Sequence, residues 1–185
     1  MQDIASSTPD RERLLCLHCS GSSGRQWDRY AAALSRRFEV VAPDLLGCGV
    51  PLPWPMSATL RLDDEAAHVE RWLDGAPGGV HLLGHSYGGA VALQLALRWP
   101  HRVRSLTLYE PVRFALLFGR PDTAAEGEAI VAVGRRIGAQ ARQGQLQEAA
   151  QTFVDYWSGQ GSWLAIDPRR RDALAQRMPK VVSEF

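Results

Sequence analysis

Residues 80–89 read Val-His-Leu-Leu-Gly-His-Ser-Tyr-Gly-Gly, and residues 90–98 continue Ala-Val-Ala-Leu-Gln-Leu-Ala-Leu-Arg. The first four form a short apolar run of strand type, and from Ala90 the small and leucine residues read as a helix that Pro100 stops. Between them Gly84-His85-Ser86-Tyr87-Gly88 spells G-x-S-x-G at the turn from strand to helix. A serine on so sharp a turn sits in strained backbone, and side chains two residues to either side would collide, which accounts for glycine at 84 and 88. Ser86 is then expected to hold its hydroxyl above the end of the sheet, at the positive end of the helix dipole, where a forming anion is favoured. The same letters also occur in Gly/Ser turns without chemistry. The strand before and the helix after are what make Ser86 a candidate nucleophile.

Working outward, the same apolar rhythm recurs at Leu14–Leu17, Val40–Ala42 and Ser105–Tyr109. With helical patterns between them, the four runs predict a parallel sheet flanked by crossover helices, an α/β fold. Leu14–Leu17 and Val80–Leu83 are expected at its centre, with the other two at its edges. Trp27, Tyr30, Ala31 and Leu34 fall on one stripe of a first helix; Leu62, Ala66, Val69 and Leu73 share a face of a second, with Thr59 as its expected N-cap and Gly75 at its end. Beyond residue 121 the pattern is helical throughout, and Asp167-Pro168 reads as an N-cap followed by Pro at the first helical position. The chain thus divides into an α/β core over residues 1–120 and a helical segment over 121–185. The edge run Ser-Leu-Thr-Leu-Tyr at 105–109 carries no charge, so a homo-oligomer formed by edge pairing or by exchange of the helical segment is expected.

At 185 residues, 45% hydrophobic and 22% charged, the chain can bury a core but has no room for two full catalytic domains. The net charge of +1, with arginines and acids interspersed, leaves no footprint for nucleic acid. No apolar run is long enough to span a bilayer, and the opening Met-Gln-Asp-Ile lacks the basic and apolar stretches of a signal peptide. A cytoplasmic protein without membrane contact is expected, which agrees with only three cysteines. Cys16 and Cys19 with a lone Cys48 do not make the two tight ligand pairs of a structural zinc site, so no metal is expected.

Three further stretches carry a resemblance. Leu-His-Cys-Ser-Gly-Ser-Ser-Gly at 17–24 is similar to the His-Gly-x-x-Gly loop of the α/β-hydrolase fold family, Val-Val-Ala-Pro-Asp-Leu-Leu-Gly-Cys-Gly at 40–49 to its A-P-D-x-x-G-x-G segment, and residues 98–111 to its helix end and following strand. The resemblance implies a cofactor-free serine hydrolase acting on a small-molecule ester or related acyl substrate. Esterase, lipase-like, C–C hydrolase and perhydrolase chemistries all stay open, whereas those members that use an Asp nucleophile are disfavoured. It further implies that the backbone amides of Ser20 and Tyr87 form the oxyanion hole. Cys19 stands where the family usually has Gly, which leaves Cys19 as the alternative donor. The helical segment corresponds to the family's cap. Its aromatics Phe153, Tyr156, Trp157 and Trp163 read equally as acyl-pocket lining or as ordinary core, with Trp157 chosen as the substrate contact.

The family's relay runs Ser, acid, His along the chain. After Ser86 the one histidine is His101, expected at the far end of the sheet; His68, His81 and His85 are poorly placed as bases. Glu110, at the end of the last strand, is a position from which some members supply the acid, although a cap or an ion pair describes it as well. Asp44 reads as a carboxylate that holds its loop. The sequence thus specifies a nucleophile and an oxyanion hole without the rest of the relay, and the alternative is an inactive small-molecule binding module of the same fold.

Overall fold

Runs rich in Leu and Val cannot leave both faces of a strand in water, and the structure resolves this by stacking them side by side. The computed structural model describes residues 11–49 and 54–185. Four parallel strands, β1 (Glu12–Leu17), β2 (Phe38–Val41), β3 (Val80–His85) and β4 (Val103–Tyr109), form one sheet in the order β2-β1-β3-β4. Leu15 lies beside Val41 on one side and Leu82 on the other, and Leu82 beside Leu106. The connections are α1 (Asp28–Leu34), α2 (Leu62–Val69) and α3 (Tyr87–Arg98). Alternation along the strands sends Leu15, Leu17, Val80 and Leu82 to a face packed by Ala66 and Val69 of α2 and Val91 and Leu95 of α3. Leu14 and Cys16 point to the opposite face, where Trp27 covers them.

Three details depart from the sequence expectations. Trp27 belongs to a 3-10 turn, Gly24–Trp27, and no residue of α1 is buried; Tyr30, at 59% exposure, meets only the edge of the Trp27 ring at 5.8 Å. The Trp27 indole covers most of the short apolar face beside β2 and Leu34 packs against it part-buried, which leaves Tyr30 in water. The N-cap of α2 is Arg61 rather than Thr59, because the Arg61 backbone N–H finds its acceptor in the Asp64 carboxylate (2.9 Å). β4 starts at Val103, which brings Arg104 into the edge strand, ion-paired to Glu12 of β1. The edge is therefore not free of charge.

The remaining chain is α4 (Ala124–Arg142), α5 (Leu146–Ser158), α6 (Pro168–Ala175) and α7 (Met178–Val182), with Ile137, Ala150, Trp163, Met178 and Val181 in a core of its own. The Asp167 side chain accepts from the Arg169 N–H (2.9 Å) and caps α6, with Pro168 first in the helix. These helices rest on the loop that follows β1. Arg177 Nη1 donates to the Gly21 carbonyl (2.8 Å), and a Cβ on Gly21 would fall 2.7 Å from Leu174. Among the described residues no helix is long and apolar enough to cross a membrane.

Candidate active site

The turn after β3 has the shape its glycines require. Ser86 sits at φ 53° and ψ −117°, and α3 begins at the next residue. A Cβ on Gly84 would fall 2.5 Å from the Gly88 carbonyl oxygen; one on Gly88 would fall 2.5 Å from the His18 carbonyl oxygen and closer still to that of Leu17. The Ser86 N–H donates to the Tyr109 carbonyl (2.9 Å), and the Ser86 carbonyl accepts from Gly89 (2.9 Å) and Val112 (3.3 Å), so both of its peptide groups are tied down. Among the described residues only Ser86 and Glu110 (φ 48°) are non-glycine residues with positive φ. Both border the same cavity of about 310 Å³. Strained backbone of this kind persists only where its surroundings over-determine it, and it concentrates at functional sites.

Ser20, His85, Tyr87, Glu110 and Glu184 supply the polar edge of that cavity, and Val112, Phe114, Phe153, Trp157 and Phe185 its apolar wall. Phe114 lies nearly parallel to Trp157, with centroids 6.1 Å apart, and to Phe185, 6.0 Å away. Of the four aromatics singled out in the helical segment, Phe153 and Trp157 reach the cavity. Tyr156 is exposed beside Trp157, and Trp163 is buried in the core of the helical segment.

The loop after β1 is held from several sides. His18, 1% exposed, donates from Nδ1 to the Cys19 carbonyl (2.8 Å) and accepts at Nε2 from the Leu45 N–H (3.1 Å). Burial lowers its pKa to about 4 against the opposing pull of the Cys19 carbonyl and Asp44, so the ring is neutral at pH 7. Asp44 Oδ1 accepts from the Gly24 N–H (2.7 Å), which is the loop-holding arrangement expected of it. The Cys19 N–H donates to Gln26 Oε1 (3.0 Å), which occupies the alternative oxyanion donor. Cys19 and Ser20 both border the cavity.

A cluster that sequence reasoning missed reaches the cavity through Glu184. Lys180 Nζ is 3.0 Å from Glu65 Oε1 and 2.6 Å from Glu184 Oε1, with side chains 2%, 0% and 4% exposed. Glu65 also accepts from the Tyr87 hydroxyl (3.3 Å) and from the Leu46 N–H (2.9 Å), so it joins the elbow, the loop after β2 and α7. Burial by itself would lower the pKa of Lys180, but the carboxylates of Glu184 and Glu65 outweigh it and hold the ammonium above the ordinary lysine range. Burial pushes the Glu184 carboxyl upward, opposed by Lys180 and the Ser20 hydroxyl. Glu65 and Lys180 are 115 residues apart, and no spacing rule could have paired them.

The other titratable groups lie elsewhere. His68 meets the Asp44 carbonyl, His81 bridges Ser105 and Glu12, and His101 sits in the turn Pro100–Arg102 before β4, at the opposite end of the sheet from Ser86. Burial pushes the Cys16 and Cys48 thiols up to about 12, and the described residues contain no group of three or more His, Cys, Asp or Glu arranged to hold a metal.

A four-stranded parallel sheet with a strained serine between its third strand and third helix matches one family over most of the chain. The sequence model of the alpha/beta hydrolase family covers residues 14–185, and the chain belongs to that family. It is 39% identical over 100 residues to Lipase LipV of Mycobacterium tuberculosis, covering 54% of this chain and 37% of that protein. It is 35% identical over 135 residues to a pimeloyl-[acyl-carrier protein] methyl ester esterase of Neisseria meningitidis, covering 72% of this chain and 49% of that protein. Among solved structures it is similar to a pyrethroid hydrolase of Sphingobium faniae, with 29% identity and a TM-score of 0.49 over 55% of this chain and 40% of that one. The matched region thus spans less than half the length of these relatives.

Proposed function

We propose that the chain acts as a serine hydrolase on a carboxylic ester or related acyl compound, without a cofactor. The observation that carries the reading is Ser86 at φ 53°, at the N-terminus of α3 and on the border of the aromatic cavity. In this reading Ser86 Oγ attacks the acyl carbonyl, and the backbone N–H groups of Ser20 and Tyr87 receive the oxyanion. As the tetrahedral adduct collapses the alcohol leaves, and water later releases the acid from the acyl-serine. Trp157, with Phe114 and Phe153, holds the acyl group by apolar contact. The family and its lipase and esterase relatives support a hydrolase of this kind.

Ser86 needs a base to take its proton, and His85 is the one histidine that borders the cavity among the described residues. Loss of a relay member lowers turnover by roughly 10⁴-fold or more. These 185 residues by themselves should therefore react with an activated phosphonate and turn esters over slowly. That same shortage favours the second reading, a module that binds a small apolar ligand without turnover. The test is labelling with a fluorophosphonate. The hydrolase reading expects an adduct that maps to Ser86 by mass spectrometry and disappears in Ser86→Ala. Labelling retained in that variant, or mapped to Ser20, Ser22 or Ser23, refutes it, and no labelling in the intact chain favours the binding module.

A further inference from the structure

Gln26 lies on the 3-10 turn Gly24–Trp27 and touches both sides of the site. Its Oε1 accepts from the Cys19 N–H (3.0 Å), and its Nε2 lies 3.0 Å from His85 Nδ1. A backbone N–H can only donate, so the first bond decides which end of the amide is oxygen. The NH₂ end therefore faces His85, and Nδ1 must accept from it. A neutral imidazole whose Nδ1 accepts carries its proton on Nε2. Burial lowers the His85 pKa, with the Glu110 carboxylate opposing, which keeps the ring neutral at pH 7. Tyr109 packs on the ring with centroids 5.0 Å apart. His85 borders the cavity beside Ser86, and its Nε2 has no hydrogen-bond partner among the described residues.

We propose that Gln26 is a positioning residue: one amide ties the Ser20 loop to the residue before the nucleophile and makes His85 present an Nε2–H donor to an acceptor oxygen of the substrate. This rests on Ser86 as the nucleophile. It also removes His85 as the base for Ser86. For Nε2 to take a proton from Ser86 the neutral ring must carry its hydrogen on Nδ1, and the amide of Gln26 would have to turn over to accept from it, which would set its NH₂ against the Cys19 N–H and lose that bond. The site is thereby biased toward substrates with a hydrogen-bond acceptor next to the scissile carbonyl, as an ester oxygen is.

The experiment combines two readouts on the full chain. ¹⁵N NMR of the His85 ring should show the Nε2–H tautomer. In Gln26→Glu a carboxylate can still accept from the Cys19 N–H but now also accepts from Nδ1–H, so the tautomer should invert and the His85 pKa should rise. At a pH above the His85 pKa of each variant, where the ring is neutral, the rate of Ser86 labelling by a neutral fluorophosphonate should fall on the order of tenfold in Gln26→Glu, where the loop tie survives, and at least as far in Gln26→Leu, where both bonds are lost. An Nδ1–H tautomer in the unaltered chain overturns the proposal, as does an inverted tautomer in Gln26→Glu with labelling at the original rate. If the unaltered chain takes no label, the nucleophile reading fails, and the NMR result alone decides the Gln26–His85 arrangement.

Discussion

Gly88 is the second residue of α3, and its missing side chain lets that helix close on the end of β1. An alanine there would set its Cβ 2.5 Å from the His18 carbonyl oxygen, where ordinary contacts begin at about 3.4 Å. The two backbones must therefore separate by about 1 Å, because neither atom belongs to a side chain that could swing away. α3 cannot tilt freely to provide that space, since Val91 and Leu95 are fully buried against the sheet. Overpacking of this kind costs about 1–3 kcal/mol, offset by up to about 1 kcal/mol of improved helix propensity, so a modest net loss of stability is expected. The functional effect should be larger. The separation opens between the amide of Tyr87, next to Gly88, and the loop that carries Ser20, and a misplacement of about 1 Å can lower reactivity about 10²-fold. The assay pairs urea unfolding with the rate of fluorophosphonate labelling of Ser86. Gly119→Ala serves as control, because a Cβ there meets nothing within 4 Å. If Gly88→Ala is labelled as fast as the control and unfolds at the same urea concentration, then close approach at residue 88 is not what shapes this site.

Ser86→Gly should raise the thermal midpoint, by about 1 kcal/mol of stability, since glycine adopts φ 53° without strain; an unchanged or lower midpoint would mean the turn stores no strain. His18 titrates at about 4 in the fold against 6.5 when exposed, so the unfolded chain binds the extra proton between those values and stability falls by about 3 kcal/mol as pH drops from 6.5 to 4. Urea titrations across that range should show the loss, and His18→Gln should abolish it. Lys180→Met strands Glu65 and Glu184 in the interior and should cost about 3–5 kcal/mol at pH 7. The Glu184 carboxyl titrates above the ordinary range, so it favours the fold at low pH and the variant's deficit should shrink on acidification; a deficit independent of pH would assign the loss to packing.

The four strands of the parallel sheet were legible because each is a short apolar run closed by turn residues, a signal contained in a few consecutive positions. The first helix shows where such signals stop. Trp27, Tyr30, Ala31 and Leu34 do share a stripe, but how much of a stripe is covered depends on what stands opposite it: Trp27 is buried, Leu34 is part-buried, and Tyr30 stays exposed. The aromatics of α5 divide for a similar reason: Tyr156 and Trp157 are adjacent in sequence and differ by about 100° around the helix axis, so only packing could choose which one borders the cavity.

The strand, the glycine-flanked serine and the helix after it were determined by sequence alone, because strain at residue 86 and the close approach at residues 84 and 88 are demands of local backbone geometry. Tertiary structure decided the rest of the site. The Glu65–Lys180 pair, the Gln26 bridge to His85 and the Arg177 contact to Gly21 join residues 59 to 156 positions apart. Each depends on hydrogen-bond geometry good to a fraction of an ångström, and that becomes defined only when the sheet brings its loops to one end and the helices of the last third close over them.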